Sequence, residues 1–301
     1  MTEYSNPQIP EGINVSAEHP LKDFFVMLAG IGLALAVAII LLSVFAQYLV
    51  RFIPFEVEQV LVANVERWQT QLPETTSRNE PPATQQASAT ELHKVEVRAY
   101  LQQLADRLLA QVPDPLPVTV HYLDSDMINA FATLGGQVFI TRGLLNIMPD
   151  ENALAMVLAH EIAHVQHRDP IVALGRGLTV SLALICITGN GDGALAQQLL
   201  GQVNLLVDLR FSRSAESAAD EAALDALLQL YGHVASADQL FVFLQQHQGD
   251  EAIEWFSTHP LNTQRIAMIE GFAAEHHAPD MQTTPLPDWL QTALPEQPNA
   301  Q

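Results

Sequence analysis

The chain is poor in two kinds of residue, cysteine and the basic side chains, and each scarcity narrows what it can do. One cysteine, Cys186, in 301 residues excludes an intrachain disulfide framework and a cysteine-rich metal site. Thirteen Lys and Arg stand against 34 Asp and Glu, a formal charge of −21. A nucleic-acid surface needs clustered cations against its phosphates, so nucleic acid is excluded as a partner. The deficit is sharpest downstream, where from Ser214 onward Arg265 is the only basic residue among thirteen acidic ones. Apolar side chains are plentiful at 49%, enough for a packed core in one or two domains.

The apolar residues are unevenly placed. Residues 1–23 form a polar, net acidic tail with three prolines, and Phe24 to Val50 then runs 27 residues without a charge. As a helix this run reaches about 40 Å, more than the roughly 30 Å of a hydrocarbon core, so 24–50 is expected to span a membrane with tilt. A cleaved signal peptide is the rival, and Val44-Phe45-Ala46 resembles a cleavage site. The acidic leader and the length of the run favour an uncleaved anchor. Lys22 and the amino terminus balance Arg51 and Arg67, which leaves the orientation open. The expectation is a single-pass protein of a bacterial inner membrane, with the periplasmic side taken for its soluble part. Residues 51–90 read as a juxtamembrane segment and then, from Thr70 to Thr90, a flexible linker rich in Pro, Thr, Ser and Gln.

A folded domain is expected over 91–276, of α+β class and mainly α. It opens with an amphipathic helix to about Gln111, whose stripe Val97, Tyr100, Leu101, Leu104 and Leu108 is spaced by threes and fours. Val118 to Leu123 and Gly136 to Thr141 read as strands, with Asn129-Ala130-Phe131 between them. The second strand either offers its edge to an extended peptide or closes the core as an ordinary hairpin. A helix from Glu151 to Arg168 follows, with Asp150 as N-cap and Pro170 as stop. The 13-residue apolar run 177–189 is too short to span and reads as a buried helix, with a membrane-touching segment as the alternative. Residues 194–209 continue as a helix. The last stretch, 277–301, is acidic, Pro-rich and expected to be disordered.

The helix 151–168 carries His160-Glu161-Ile162-Ala163-His164. Two His four residues apart leave one face of a helix and can share a metal ion. Glu161 beside them can take a proton from a water activated by that metal. Satisfied helix histidines are the bland alternative. Downstream, Ser212-Arg213-Ser214-Ala215-Glu216-Ser217-Ala218-Ala219-Asp220 opens another helix. Glu216 can supply a third ligand, since catalytic zinc takes three protein ligands and keeps one position open. Asp220, one turn on, can fix the tautomer of a ligating His. A solvated acidic face would give the same spacing.

Together the two motifs resemble the HtpX-like and CAAX-prenyl-protease-like zinc metallopeptidases. Asn129-Ala130-Phe131, Gly135-Gly136, His167-Arg168-Asp169, His259-Pro260 and Arg265-Ile266 are similar to that family in the same order, over about Glu91 to Gly271. The resemblance implies a gluzincin holding one Zn²⁺ per chain on His160, His164 and Glu216, with Glu161 as the catalytic carboxylate. It implies that His259 approaches the metal, either stabilising the oxyanion or acting as a reversible fourth ligand; a loop histidine without a role is the alternative. Asn129, Gly136, Val138 and Arg265 are candidate substrate contacts, although an ion pair is the stronger reading for Arg265. Metzincins fit worse, since position 167 is His rather than Gly and 170 is Pro rather than His. A deformylase would need a cysteine ligand, and thermolysin-like enzymes place their glutamate nearer than the 52 residues between His164 and Glu216.

The family's multispan members differ from this chain, which has one convincing span, so their substrates do not transfer. The expected function is membrane-tethered cleavage of extended or misfolded protein segments in quality control, with protein or peptide substrates and the membrane as partners. The alternative is a latent or inactive zinc protein that holds unfolded chains as a membrane-tethered chaperone.

Overall fold

The computed structural model describes residues 20–50, 52–69, 85–177, 210–247, 259, 263–276 and 281–293. The apolar run after Gly177, the helix expected at 194–209 and most of the linker lie outside the described residues. The described part is mainly helical, with one three-stranded sheet, in agreement with the expected class.

Helix α1 (Pro20–Val50) contains the long apolar run. Its stretch Leu21–Leu42 is long and apolar enough to cross a membrane, and side chains such as Phe25 and Leu33 are more than 60% exposed. Helix α2 (Phe55–Gln69) follows. The juxtamembrane segment is therefore a helix that docks on the domain, since Phe55, Glu58 and Val62 are all buried. Their spacing of three and four residues places them on one face of the helix. Helix α3 (Gln85–Leu109) starts six residues before the expected domain boundary, inside the stretch read as linker. The expected stripe is realised, with Val97, Leu101, Leu104 and Leu108 all in the core.

Strands β1 (Thr119–Leu123), β2 (Ala130–Ala132) and β3 (Gln137–Thr141) form a sheet in the order β1-β3-β2. β1 runs parallel to β3 and β2 antiparallel to it. This decides between the two readings of the strand before the metal-binding helix: β2 and β3 form an ordinary hairpin. β3 is central, so its amides and carbonyls are consumed on both sides and it has no edge to offer. β2 is the edge strand on that side, and the sequence pattern passed over it because Ala130-Phe131-Ala132 is short and does not alternate.

Two of the four expected substrate contacts are internal for the same reason. Val138 is fully buried, facing the core from the central strand. Gly136 has φ +78°, and a Cβ there would lie 2.1 Å from the Pro117 carbonyl oxygen, so it serves a tight turn rather than a substrate.

After α4 (Arg142–Ile147), helix α5 (Glu151–Gln166) carries the HExxH residues. The side chain of Asp150 caps it, accepting from the Ala153 amide at 2.8 Å. Every residue from Glu151 to Val165 is buried, so α5 is the central helix of the domain rather than a one-sided amphipathic one. Its first residue is anchored by three donors, Tyr100 Oη, Arg107 Nη1 and Tyr231 Oη, each 2.8 Å from the Glu151 carboxylate. Burial opposes ionisation of Glu151, but those bonds win and lower its pKa. Helices α6 (Arg213–Tyr231), α7 (Gln239–Gln246) and α8 (Thr263–Glu275) complete the helical layer, with α6 packed along α5.

The C-terminal segment is not wholly the free tail its composition suggests. Residues 281–293 are described and end in a short helix, α9 (Asp288–Ala293). Leu286 and Leu290 enter the core, and Trp289 meets the Tyr100 ring edge-on at 6.0 Å. Thr284 bonds to the start of α5 twice, its carbonyl accepting from the Glu151 amide and its amide donating to Asn152 Oδ1. Two leucines four residues apart are enough apolar surface to hold a Pro-rich segment down. Leu290→Ala is expected to cost about 2–5 kcal/mol, a large-to-small change at a buried site, measured by urea unfolding. Parent-like stability would mean that the tail is independent of the domain.

Candidate metal centre

The centre lies between α5 and α6. On α5, the i and i+4 spacing brings His160 Nε2 and His164 Nε2 to 3.1 Å from each other. On α6, Ser212 caps the helix by accepting from the Ala215 amide, which places Glu216 in the first turn. Glu216 Oε2 is 3.5 Å from His160 Nε2, and Oε1 is 3.6 Å from His164 Nε2. His259 Nδ1 completes the group, 3.3 Å from His160 Nε2 and 3.1 Å from Glu216 Oε1. All four side chains are buried, and their donor atoms lie within 4.8 Å of one another.

This donor set fits a zinc ion on three counts. A tetrahedral site with zinc–nitrogen bonds of about 2.0–2.1 Å separates its donors by roughly 3.3 Å, close to the spacings found. The far nitrogens of both α5 histidines are held by carboxylates, His160 Nδ1 by Asp220 Oδ1 and His164 Nδ1 by Asp169 Oδ2, each at 2.9 Å. With those Nδ1 atoms protonated, two Nε2 lone pairs face each other at 3.1 Å and need a cation or a proton between them. The charge agrees as well. Glu161, Glu216 and Asp220 against Arg265 sum to −2 in a buried space, which a dication neutralises.

Arg265 is fully buried. It forks onto Asp220, with Nε 2.6 Å from Oδ2 and Nη2 2.8 Å from Oδ1, and Nη1 reaches Glu216 Oε2 at 2.8 Å. Arg265 thus makes the ion pair that is its stronger reading, and not a substrate contact: the lone cation of the acidic half orients two carboxylates of the site from inside. Asn129 is also buried, its amide donating to Thr141 Oγ1, and its side-chain oxygen has no hydrogen-bond partner. It precedes the edge strand and is the one expected substrate contact that keeps an unused polar atom.

The electrostatics follow from burial and the carboxylates. Burial works against a charge on His160, but Asp220 and Glu216 outweigh it and lift its pKa to about 10. Burial, then the charge on His160, holds His164 well below its usual range. Burial opposes ionisation of Glu216, yet the hydrogen bonds from His160 and His259 keep it far below an ordinary carboxylate. Glu161 goes the other way, pushed up by burial. Its oxygens make no well-formed hydrogen bond among the described residues; the Ala132 amide and His259 Nε2, 3.4 Å from Oε1, are the nearby donors.

Three neighbours escaped the sequence reading of the site. Asp169, five residues after His164, was visible only within the His167-Arg168-Asp169 resemblance. Phe211 stacks on the His164 ring with centroids 4.1 Å apart, and nothing in its sequence context marks it. Arg168, with φ +62°, sits in a backbone region that only the fold reveals. Beside Phe211 a cavity of about 410 Å³ is lined by His167, Asp169, Val172, Arg176, Ser212 and Ala215, among others.

Two helices that bring an HExxH pair and a glutamate to one point define a gluzincin-type metal centre. The sequence model of Peptidase family M48 matches residues 91–273, more than half of the chain, and the chain belongs to that family. It is 30% identical over 204 residues to the mitochondrial metalloendopeptidase OMA1 of Danio rerio, covering 63% of this chain and 42% of that protein. It is 28% identical over 207 residues to a protease HtpX homolog of Salinibacter ruber, covering 58% and 74%. Against a putative beta-barrel assembly-enhancing protease of Vibrio cholerae the identity is 29% over 189 residues, covering 56% and 37%. The chain spans about half, or less, of the length of the OMA1 proteins it matches.

In the metal-free protein the His160 imidazolium stabilises the fold fully below about pH 6.5, and that contribution is lost as the pH rises through about 10. Zinc has to displace that proton. Calorimetric loading at pH 8 is therefore expected to release protons, with heats that vary with the ionisation enthalpy of the buffer. Equal heats in phosphate and Tris would contradict it. Glu216→Ala is expected to lose most of the zinc by elemental analysis.

Proposed function

We propose that the chain is a membrane-anchored zinc endopeptidase that hydrolyses peptide bonds in extended or misfolded protein segments, in the service of protein quality control. The observation that carries the reading is Glu161, a fully buried carboxylate with unused oxygens, beside three ligand atoms at zinc spacing. A purely structural metal site has no use for such a group.

His160, His164 and Glu216 would hold the zinc, with Asp220, Asp169 and Arg265 fixing their orientation. The ion supplies Lewis acidity, polarising the scissile carbonyl and lowering the pKa of a water. Glu161 receives the proton of the attacking water and delivers it to the departing amine. Its raised pKa suits both halves of that transfer, because a carboxylate that holds a proton more tightly is the better base. The place of β2 at the side of the described sheet, with its outer edge next to Glu161, supports an extended substrate. Asn129 and Thr133 bond to β3, so the amides and carbonyls of Ala130 and Ala132 face away from it, and the Ala132 amide is directed at the Glu161 carboxylate. Helix α1 supports the membrane anchor, and the relatives' names, protease and metalloendopeptidase, agree with the activity.

A second reading rests on His259. With Nδ1 at 3.1–3.3 Å from Glu216 and His160, it stands where a fourth ligand would close the site. In that arrangement the protein is latent, and its alternative role is to hold unfolded segments at the membrane. Movement of His259 opens the fourth position, where its imidazole can instead face the oxyanion.

The test is degradation of an unstructured protein such as casein by the full chain in detergent. Glu161→Gln is expected to keep its zinc and fold and to lose about 10²–10⁴-fold in turnover. Undiminished cleavage by Glu161→Gln would overturn the assignment. If the latent arrangement dominates, His259→Ala cleaves faster than the parent; a slower variant assigns His259 to the oxyanion.

A further inference from the structure

The docked juxtamembrane helix contributes a buried charge to the back of the metal centre. Glu58, on α2, is 2% exposed, more than one hundred residues from its ion-pair partner in sequence. Oε1 accepts from Arg168 Nε at 2.6 Å, and Oε2 accepts from the Gly135 amide at 3.1 Å. Arg168 is held from the same side by the Ile53 carbonyl, 2.8 Å from Nη2, and its guanidinium stacks over Phe55.

Both partners of Glu58 lead to the site. Arg168 is joined by one peptide bond to Asp169, whose carboxylate fixes His164 at 2.9 Å. Arg168 also adopts a left-handed backbone, φ +62°, a conformation that a β-carbon disfavours and that surrounding contacts must hold. Gly135 belongs to the turn that joins β2 to β3. Its own φ is +67°, and a Cβ there would lie 3.0 Å from Gln59 Cα, so α2 rests directly on the turn. Val62 of α2 packs with Leu134 and Ile171, and Val50, the last residue of α1, packs against that cluster. Gly175 meets Val50 as well, at 2.8 Å from a built Cβ.

We propose that Glu58 is a positioning residue of the peptidase, holding Arg168 so that Asp169 keeps His164 in its ligating orientation, and that α2 thereby couples the membrane anchor to the zinc site. The proposal rests on the zinc-peptidase reading for its effect on turnover, but not for its effect on zinc binding.

The experiment uses the full chain in detergent and reads zinc affinity by chelator competition, casein kinetics and the unfolding midpoint. Glu58→Gln is expected to weaken zinc binding about tenfold, as removal of groups behind metal ligands does, and to lower kcat with KM unchanged. Combining Glu58→Gln with Asp169→Asn should weaken zinc binding no further than Asp169→Asn alone, because both act through one carboxylate. Zinc affinity and kcat within twofold of the parent, or losses that multiply in the double variant, would overturn the proposal. A destabilised but otherwise parent-like Glu58→Gln would assign Glu58 to packing alone and also overturn it. Should Glu58→Gln fail to fold, Arg168→Lys, which keeps the charge and loses the fork, carries the same expectations. A parent with no turnover but a tenfold zinc effect would reject the peptidase function and leave this coupling standing.

Discussion

Concentrated negative charge in a dry interior is the constraint around which the domain is built. Glu216, Asp220 and Glu161 are buried among three histidines, and among the described residues Arg265 is the one buried Lys or Arg that offsets them. Isolated, such carboxylates would be too costly to desolvate. They become tolerable because Arg265 forks onto Asp220 and reaches Glu216, Asp220 accepts from His160 Nδ1, and the remaining charge matches a dication. A dication bound there would add to the stability of the fold, taking the place of the proton that the metal-free site holds on His160.

The scaffold serves to keep that arrangement rigid. α5 is buried along its whole length, so its histidines cannot turn without disturbing the core. Its N-terminal end is fixed by the Glu151 cluster and by Thr284 of the C-terminal segment, and its C-terminal end by Arg168 and Glu58. α6 then needs only its Ser212 cap and its packing on α5 to present Glu216 in register. Rigid helices position His160, His164 and Glu216, whereas the fourth donor of the group, His259, comes from outside a helix.

The metal centre was largely legible in the sequence because helical spacing is a strong local rule. His160, His164, Glu216 and Asp220 could be placed on helix faces from their i and i+4 intervals alone, and the structure brings those residues to one point. The long anchor run and the stripe of α3 were legible for the same reason. Sheet order was not, since β3 became central only through pairing with β1 and with the short β2, a long-range outcome that no window of residues contains. Arg265 showed itself as an isolated cation, but its partners were fixed only by the fold. Composition misled most at the two ends of the domain. Residues 55–62 read as a juxtamembrane segment and 284–290 as part of a Pro-rich tail, yet each places two apolar side chains against the core.

The most direct test of the account is zinc X-ray absorption on the purified full chain. The account predicts one zinc per chain in a four-coordinate shell of nitrogen and oxygen with at least two imidazoles, and no sulfur neighbour. A zinc-free protein under non-chelating purification, or a shell containing sulfur, would contradict the assignment of His160, His164 and Glu216 as the ligands.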